Sequence, residues 1–342
     1  AYTTINKSTD YFNTKLYTGN GSTGHAITGV GFQPDLLWLK PRSTTGYHRL
    51  FDAVRGAGYQ LYSNETNGSG LDTNQMSSFN SDGFTLGNET GSNANGTSFA
   101  SWNWKANGQG SSNTDGSINT TYTSVNTTAG FSIIQYTGNG VAGATIGHGL
   151  GAVPKMLIVK QTNSSNNWKV YHVSMGNNNI MNLNDTSAQT GNTAFWNDTT
   201  PTSTLISLGT NGAINGSGNT YIMYAFTSIT GYSKFGSFSG NNNNDGSFIY
   251  TGFAPSFVMV KRSSDIQGWV MWDNKRPGYN LTNQSLTANE NSAEETGRTF
   301  DILSNGFKIR DTNTATNAAS TYIYMAFGQT LVGSNNIPCT AR

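Results

Sequence analysis

The side chains best suited to chemistry in this 342-residue chain are four histidines, a small cluster of glutamates, two glycine-rich loops and one isolated tryptophan. His25, His48, His148 and His172 show neither the i, i+4 nor the short-loop spacing that brings two imidazoles onto one zinc ion. Glu290, Glu294 and Glu295 are the only carboxylate cluster, and a glycan-cleaving enzyme needs a pair about 5–10 Å apart. They share a polar stretch with Arg298, where ion pairing or solvation is expected. GNGSTG at Gly19–Gly24 and GNGVAG at Gly138–Gly143 match a dinucleotide fingerprint, but neither precedes a helical pattern whose amides could hold a pyrophosphate. Both are read as hairpin loops. NNNNDG at Asn241–Gly246 begins like a calcium loop, yet its twelfth position is Gly252 where a bidentate carboxylate is required. Trp196, beside Asn197 and Asp198, lies in AFWNDTTP and could stack on a sugar ring or anchor a neighbouring subunit. No catalytic centre, metal site or cofactor is expected from these residues.

The elements that would position these groups are β-strands. Charged residues make up only 11 % of the chain and Gly alone fills 41 positions, beside abundant Asn, Thr and Ser. Gly and Asn suit tight turns and Thr suits pleated strands, while no window carries the periodic apolar stripe of a long helix. The expected class is all-β with very little helix. A formal net charge of +1 and scattered Lys and Arg argue against nucleic acid as a partner. One cysteine, Cys339, excludes an internal disulfide framework. No run approaches 18 apolar residues and the start has no signal-peptide pattern, so neither membrane insertion nor secretion by a leader is expected.

The chain also repeats itself. Pro34, Pro154 and Pro255 each precede an apolar run ending six residues later in Lys40, Lys160 and Lys261, and eleven residues further on stand Phe51, Tyr171 and Trp272. Ala106, Ala225 and Ala326 follow those prolines by 72, 71 and 71 residues and are taken as the third anchor. This alignment places Asp52, His172 and Asp273 at one equivalent position, which suits a strand-end hydrogen bond. The runs LLWL, MLIV and FVMV lack alternation and read as strands covered on both faces. Tight hairpins are signalled by Asp-Gly near Asp82 and by Asn-Gly near Asn211 and Asn305.

Three tandem β-sandwich-like repeats follow, over 1–112, 113–230 and 231–342. Gly108–Gly130 reads as a polar linker that leaves the first repeat hinged to a closely joined pair, and GSNNIPCTAR as a C-terminal arm.

The whole chain resembles a family of marine bacteriophage and cyanophage virion structural proteins of tail-fibre type. The residues that carry the likeness include YTTINKSTDYFNTKLYTGNGS, GVGFQPDLLWLK, FDAVRG, SWNWKANG, YTGFAPSFVMVKR and TYIYMAFGQTLVGSNNIPCTAR. The resemblance implies a non-enzymatic protein made in the host cytoplasm, released by lysis and displayed on the virion surface as a tail fibre or receptor-binding component. A capsid decoration protein or, more remotely, a glycan-degrading tailspike are the alternatives. Implied partners are copies of the chain, as a trimer, other virion proteins and host surface glycans.

Overall fold

The computed structural model describes residues 3–332, so the C-terminal arm and Cys339 lie outside the described residues. Three large antiparallel sheets share one strand order. From one edge inward run an opening strand (Phe12–Thr18, Phe131–Thr137, Ser233–Ser239) and a closing strand (Ser98–Trp104, Thr220–Phe226, Thr321–Gln329). Next come the strand that ends at or just beyond each repeated lysine (Leu36–Pro41, Met156–Gln161, Ala254–Arg262), an aromatic strand (Arg49–Asp52, Lys169–His172, Trp269–Asp273) and an outer strand (Tyr59–Tyr62, Asn179–Asn182, Leu286–Thr287). Each large sheet, with the small sheet that covers it, is called a unit below. Helix among the described residues is limited to two four-residue turns and one 3-10 turn, and the protein is all-β.

Each large sheet is buried on both faces, which is why its lysine strand carries an unbroken apolar run. Leu37 and Leu39 pack outward against Ile27, Phe84 and Leu86 of a small covering sheet, while Leu36 and Trp38 point the other way, into a core shared by all three units. The third closing strand divides in the same manner: Tyr322, Tyr324 and Ala326 face the covering sheet, and Ile323, Met325 and Phe327 face the shared core. Trp104, Phe226 and Phe327 stand opposite Leu36, Met156 and Phe257, each four residues before its repeated lysine. Their rings meet pairwise at centroid distances of 6.4, 5.9 and 5.7 Å, so equivalent residues of the three units close a triangle.

The units form a ring, and the expectation of a hinged first unit is overturned. At every seam two main-chain bonds join neighbours: Asn166 N to Thr66 O and Ser69 N to Thr162 O, Gln267 N to Thr186 O and Gln189 N to Ser263 O, Gly46 N to Asn291 O and Glu294 N to Arg42 O. The repeated lysines bridge the same seams. Lys160 Nζ donates to Thr66 O at 3.0 Å and Lys261 Nζ to Thr186 O at 3.3 Å, while Lys40 Nζ reaches Asn291 O at 3.4 Å, and each also bonds the carbonyl of its following residue. Trp168 and Trp269 add indole bonds to the carbonyls of Tyr62 and Asn182 across two seams. At the third, His48 fills the tryptophan position, takes the Trp38 N–H on Nδ1 and faces the Thr287 backbone without a closed bond.

The segment expected to be a free linker is built into the fold. Tyr122–Asn126 extends the second sheet by pairing with its opening strand, and buried Ile118 bridges to Ile146. Two further expectations change. Ala106 lies beyond the closing strand, and the register puts Asn103 at the place of Ala225 and Ala326. Asn211 caps a helical turn by accepting from Ala213 N, whereas Asp82 and Asn305 sit in two-residue hairpins as expected. Gly83 in the first of these is irreplaceable on steric grounds, because its φ is +147° and a Cβ would lie 1.9 Å from Ile27 O.

Candidate functional site

Most of the chemically able side chains singled out from sequence prove to hold the ring together. His172 is buried and pushed down to about 4 by desolvation, opposed by its bond to a carbonyl. It is therefore neutral near pH 7, with Nδ1 accepting from Ser174 N and Nε2–H donating to Tyr324 O of the third unit at 3.1 Å. At the equivalent place in the first unit, Asp52 accepts from the Tyr224 hydroxyl at 2.8 Å and pairs with Arg55. In the third, Asp273 accepts from Trp102 Nε1 at 3.0 Å and pairs with Arg276. Burial pushes the Asp273 carboxyl up, but Arg276 and the bonds from Trp102 and the backbone outweigh it and hold the group below the usual carboxylate range. All three positions join neighbouring units, and the second dispenses with charge: Met175 replaces the arginine and Met325 the donor ring.

The glutamates divide. Glu295 pairs with Arg298, as expected, while Glu294 clamps Arg42 through both oxygens and also holds Arg276 at 3.1 Å. This network lies at the seam between first and third units, the one junction that no peptide segment spans. The glycine-asparagine loops dock on three buried asparagines that sequence reading missed. Asn93, Asn215 and Asn317 accept from the backbones of Asn20, Asn139 and Asn241 through Oδ1, and donate to Gly87, Gly209 and Asp311 carbonyls. In the loop that resembled a calcium site, Asn241 and Asn243 oxygens accept backbone N–H groups, and Asp245 is taken by Lys308 and Arg310. Among the described residues no three His, Cys, Asp or Glu side chains converge on a metal position.

Trp196 corrects an expectation. It is wholly buried, with its ring edge-on to Tyr171 at 5.7 Å, so it offers no face to a sugar or a subunit. Asn197 and Asp198 carry the turn beside it with φ of 53° and 50°. Core packing claims every one of the 7 tryptophans.

What remains open is a cavity of about 580 Å³ at the seam between the first and third units, within the size range of small-ligand sites. Lys7–Thr9 and Phe12–Thr14 of the first unit form one wall, and the other comes from the third: the start of its lysine strand, the segment after its aromatic strand, the turn at Ile302–Ser304 and the end of its closing strand. The third unit departs here from the other two. Ten residues separate Asp52 from Tyr62 and His172 from Asn182, but fourteen separate Asp273 from Thr287, although all three pairs occupy equivalent strand positions. The extra length places Tyr279 at the cavity with 86 % of its surface exposed. Phe248 and Tyr250 are also exposed, where the first unit has Ala26 and Thr28 and the second Thr145 and Gly147.

The sequence matches, over residues 7–330, a family described as a domain of unknown function (DUF7483). The chain belongs to this family. The match spans all three units of the chain. No curated protein and no solved structure matches the chain. No helix among the described residues is long and apolar enough to cross a membrane.

Proposed function

We propose that the chain is a non-catalytic attachment module on the surface of a virion, a tail-fibre or receptor-binding component that offers polar loops to glycans of a host envelope. The observation that supports this reading is the division of labour in the ring. Buried lysines, histidines, aspartates and tryptophans are spent on locking the units together, while the loops at Asn20–Gly24, Asn139–Gly143 and Asn241–Asp245 stay largely exposed and nearly free of charge. Scaffolds of rigid strands carrying variable polar loops are a common basis for recognition. Neutral amides and hydroxyls bond sugars without attracting every charged surface. Copies of the chain assemble with one another and with other virion proteins in this reading, with the trimer as the assembly to look for by sedimentation.

Fluorescently labelled protein should bind host cells saturably and compete with virus adsorption, and it should release no reducing sugar from host polysaccharide. Absence of cell binding would contradict the attachment role, and sugar release would contradict its non-catalytic character.

A further inference from the structure

We propose that the cavity between the first and third units is a binding site for a neutral oligosaccharide, with Tyr279 as its stacking ring and Asn274, Ser256 and Thr282 as its hydrogen-bonding groups. The inference rests on the attachment reading and gives it a place and a ligand class. Three observations carry it, the first two of them departures of the third unit from a plan that the other two keep.

The first is the four-residue lengthening that presents Tyr279. An exposed tyrosine ring combines an apolar face with a polar tip, and the C–H face of a pyranose is its natural partner. Neither other unit extends its chain at this place.

The second is a change of side chains around one shared backbone bond. Ala53 N donates to Asp35 O in the first unit, Val173 N to Lys155 O in the second, and Asn274 N to Ser256 O in the third. The fold requires only the main chain here. The first unit places Ala53 beside Asp35, whose carboxylate is consumed by the backbone of Ala106 and Gly108. The third unit instead presents an amide and a hydroxyl at the cavity wall, and among the described residues neither side chain has a protein hydrogen bond. Thr282, also on the wall, uses its backbone to pair with Phe300 and leaves its hydroxyl likewise unengaged.

The third observation comes from the opposite wall. Thr14 is 5 % exposed, lines the cavity and has a hydroxyl with no protein partner. A buried hydroxyl left unpaired is costly unless water or a ligand serves it. The lining contains no carboxylate, and Lys7 on its rim is paired with Asp10 at 2.6 Å. Lys275, the other ammonium of the lining, is likewise engaged. Amides and hydroxyls beside one exposed ring and apolar side chains such as Ile302 and Leu331 suit the polar edge and C–H face of an uncharged sugar better than an anion.

The test is titration of the full chain with oligomers of four to six glucose, galactose or mannose residues, followed by calorimetry, in parallel with the host-cell binding assay. At least one oligomer should bind saturably. Tyr279→Ala and Asn274→Ala should each weaken it about tenfold or more, and Tyr59→Ala, on an exposed tyrosine of the first unit, should leave it unchanged. Because Tyr279 is largely exposed, its variant should keep the parent circular dichroism and melting temperature. Binding that survives both substitutions would overturn the site, as would cell binding without any oligomer binding. Tyr279-dependent oligomer binding without cell binding would instead uphold the site and overturn the attachment role.

Discussion

Trp102 Nε1 donates to Asp273 Oδ2 at 3.0 Å, and with this bond the first unit closes onto the third across the only seam without a connecting peptide. Both residues are buried, and Asp273 also pairs with Arg276 at 2.7 Å. Asp273→Ala leaves buried Arg276 with Glu294 in place of two carboxylates and strips Trp102 of its acceptor, and should destabilise the protein by about 2–4 kcal/mol in denaturant unfolding. Adding Arg276→Met should recover a substantial part of that loss, since the second unit already manages this position with His172 and Met175. A double variant no more stable than the single one would show that the charge pair is not the source of the effect.

The repeated lysines make stability rise with pH over an unusual range. Burial pushes Lys40 down to about 7 and Lys160 and Lys261 to about 8, against about 10.4 in an unfolded chain. Between roughly pH 8 and 10 the unfolded chain therefore holds more protons than the folded one, and folding gains stability as pH rises. Above about pH 10 the sign reverses, because burial holds Tyr136 and Tyr232 protonated while unfolded tyrosines ionise. Lys160→Met should flatten the rise, read as the slope of the denaturation midpoint against pH.

A second pH limb lies on the acid side. Burial brings His172 down to about 4 from an unfolded value near 6.5, so its contribution is present above 6.5 and is lost as pH falls from there to 4. Burial also lowers His48 and His148, so His172→Gln should shrink this limb without abolishing it, while keeping a donor for the Tyr324 carbonyl. An unchanged acid limb in that variant would assign it to other groups.

The exposed rings of the third covering sheet are not needed by the fold. Phe248→Ala with Tyr250→Thr, which installs the first unit's residues, should change stability by no more than about 0.5 kcal/mol. A large loss by thermal melting would show that these rings pack after all.

Much of the strand plan is legible in the sequence, because it depends on local signals. Pro34, Lys40 and Phe51 recur with fixed spacing, and the unbroken apolar runs announce sheets covered twice. The D-x-x-R pattern at Asp52–Arg55 and Asp273–Arg276, with a neutral counterpart at His172–Met175, was also there to be read as a joint between units. Ring closure was not legible, since a bond such as Arg42 to Glu294 spans most of the chain and leaves no local trace. The polar composition of Gly108–Gly130 suggested a tether because its order comes from pairing with the second sheet. Trp196 misled for a related reason: a tryptophan in a loop gives no sign of whether the loop folds over it. The seam cavity becomes visible only when the units are superposed in register and the third is found longer by the residues around Tyr279.

The three units share one core, with Trp104, Phe226 and Phe327 meeting at its centre. Differential scanning calorimetry of the intact chain, beside Phe226→Ala, tests this most directly. The expected result is one cooperative transition, with calorimetric and van't Hoff enthalpies in agreement, shifted as a whole by about 3–5 kcal/mol in the variant. A separate, earlier transition of the first unit, untouched by Phe226→Ala, would contradict the closed ring.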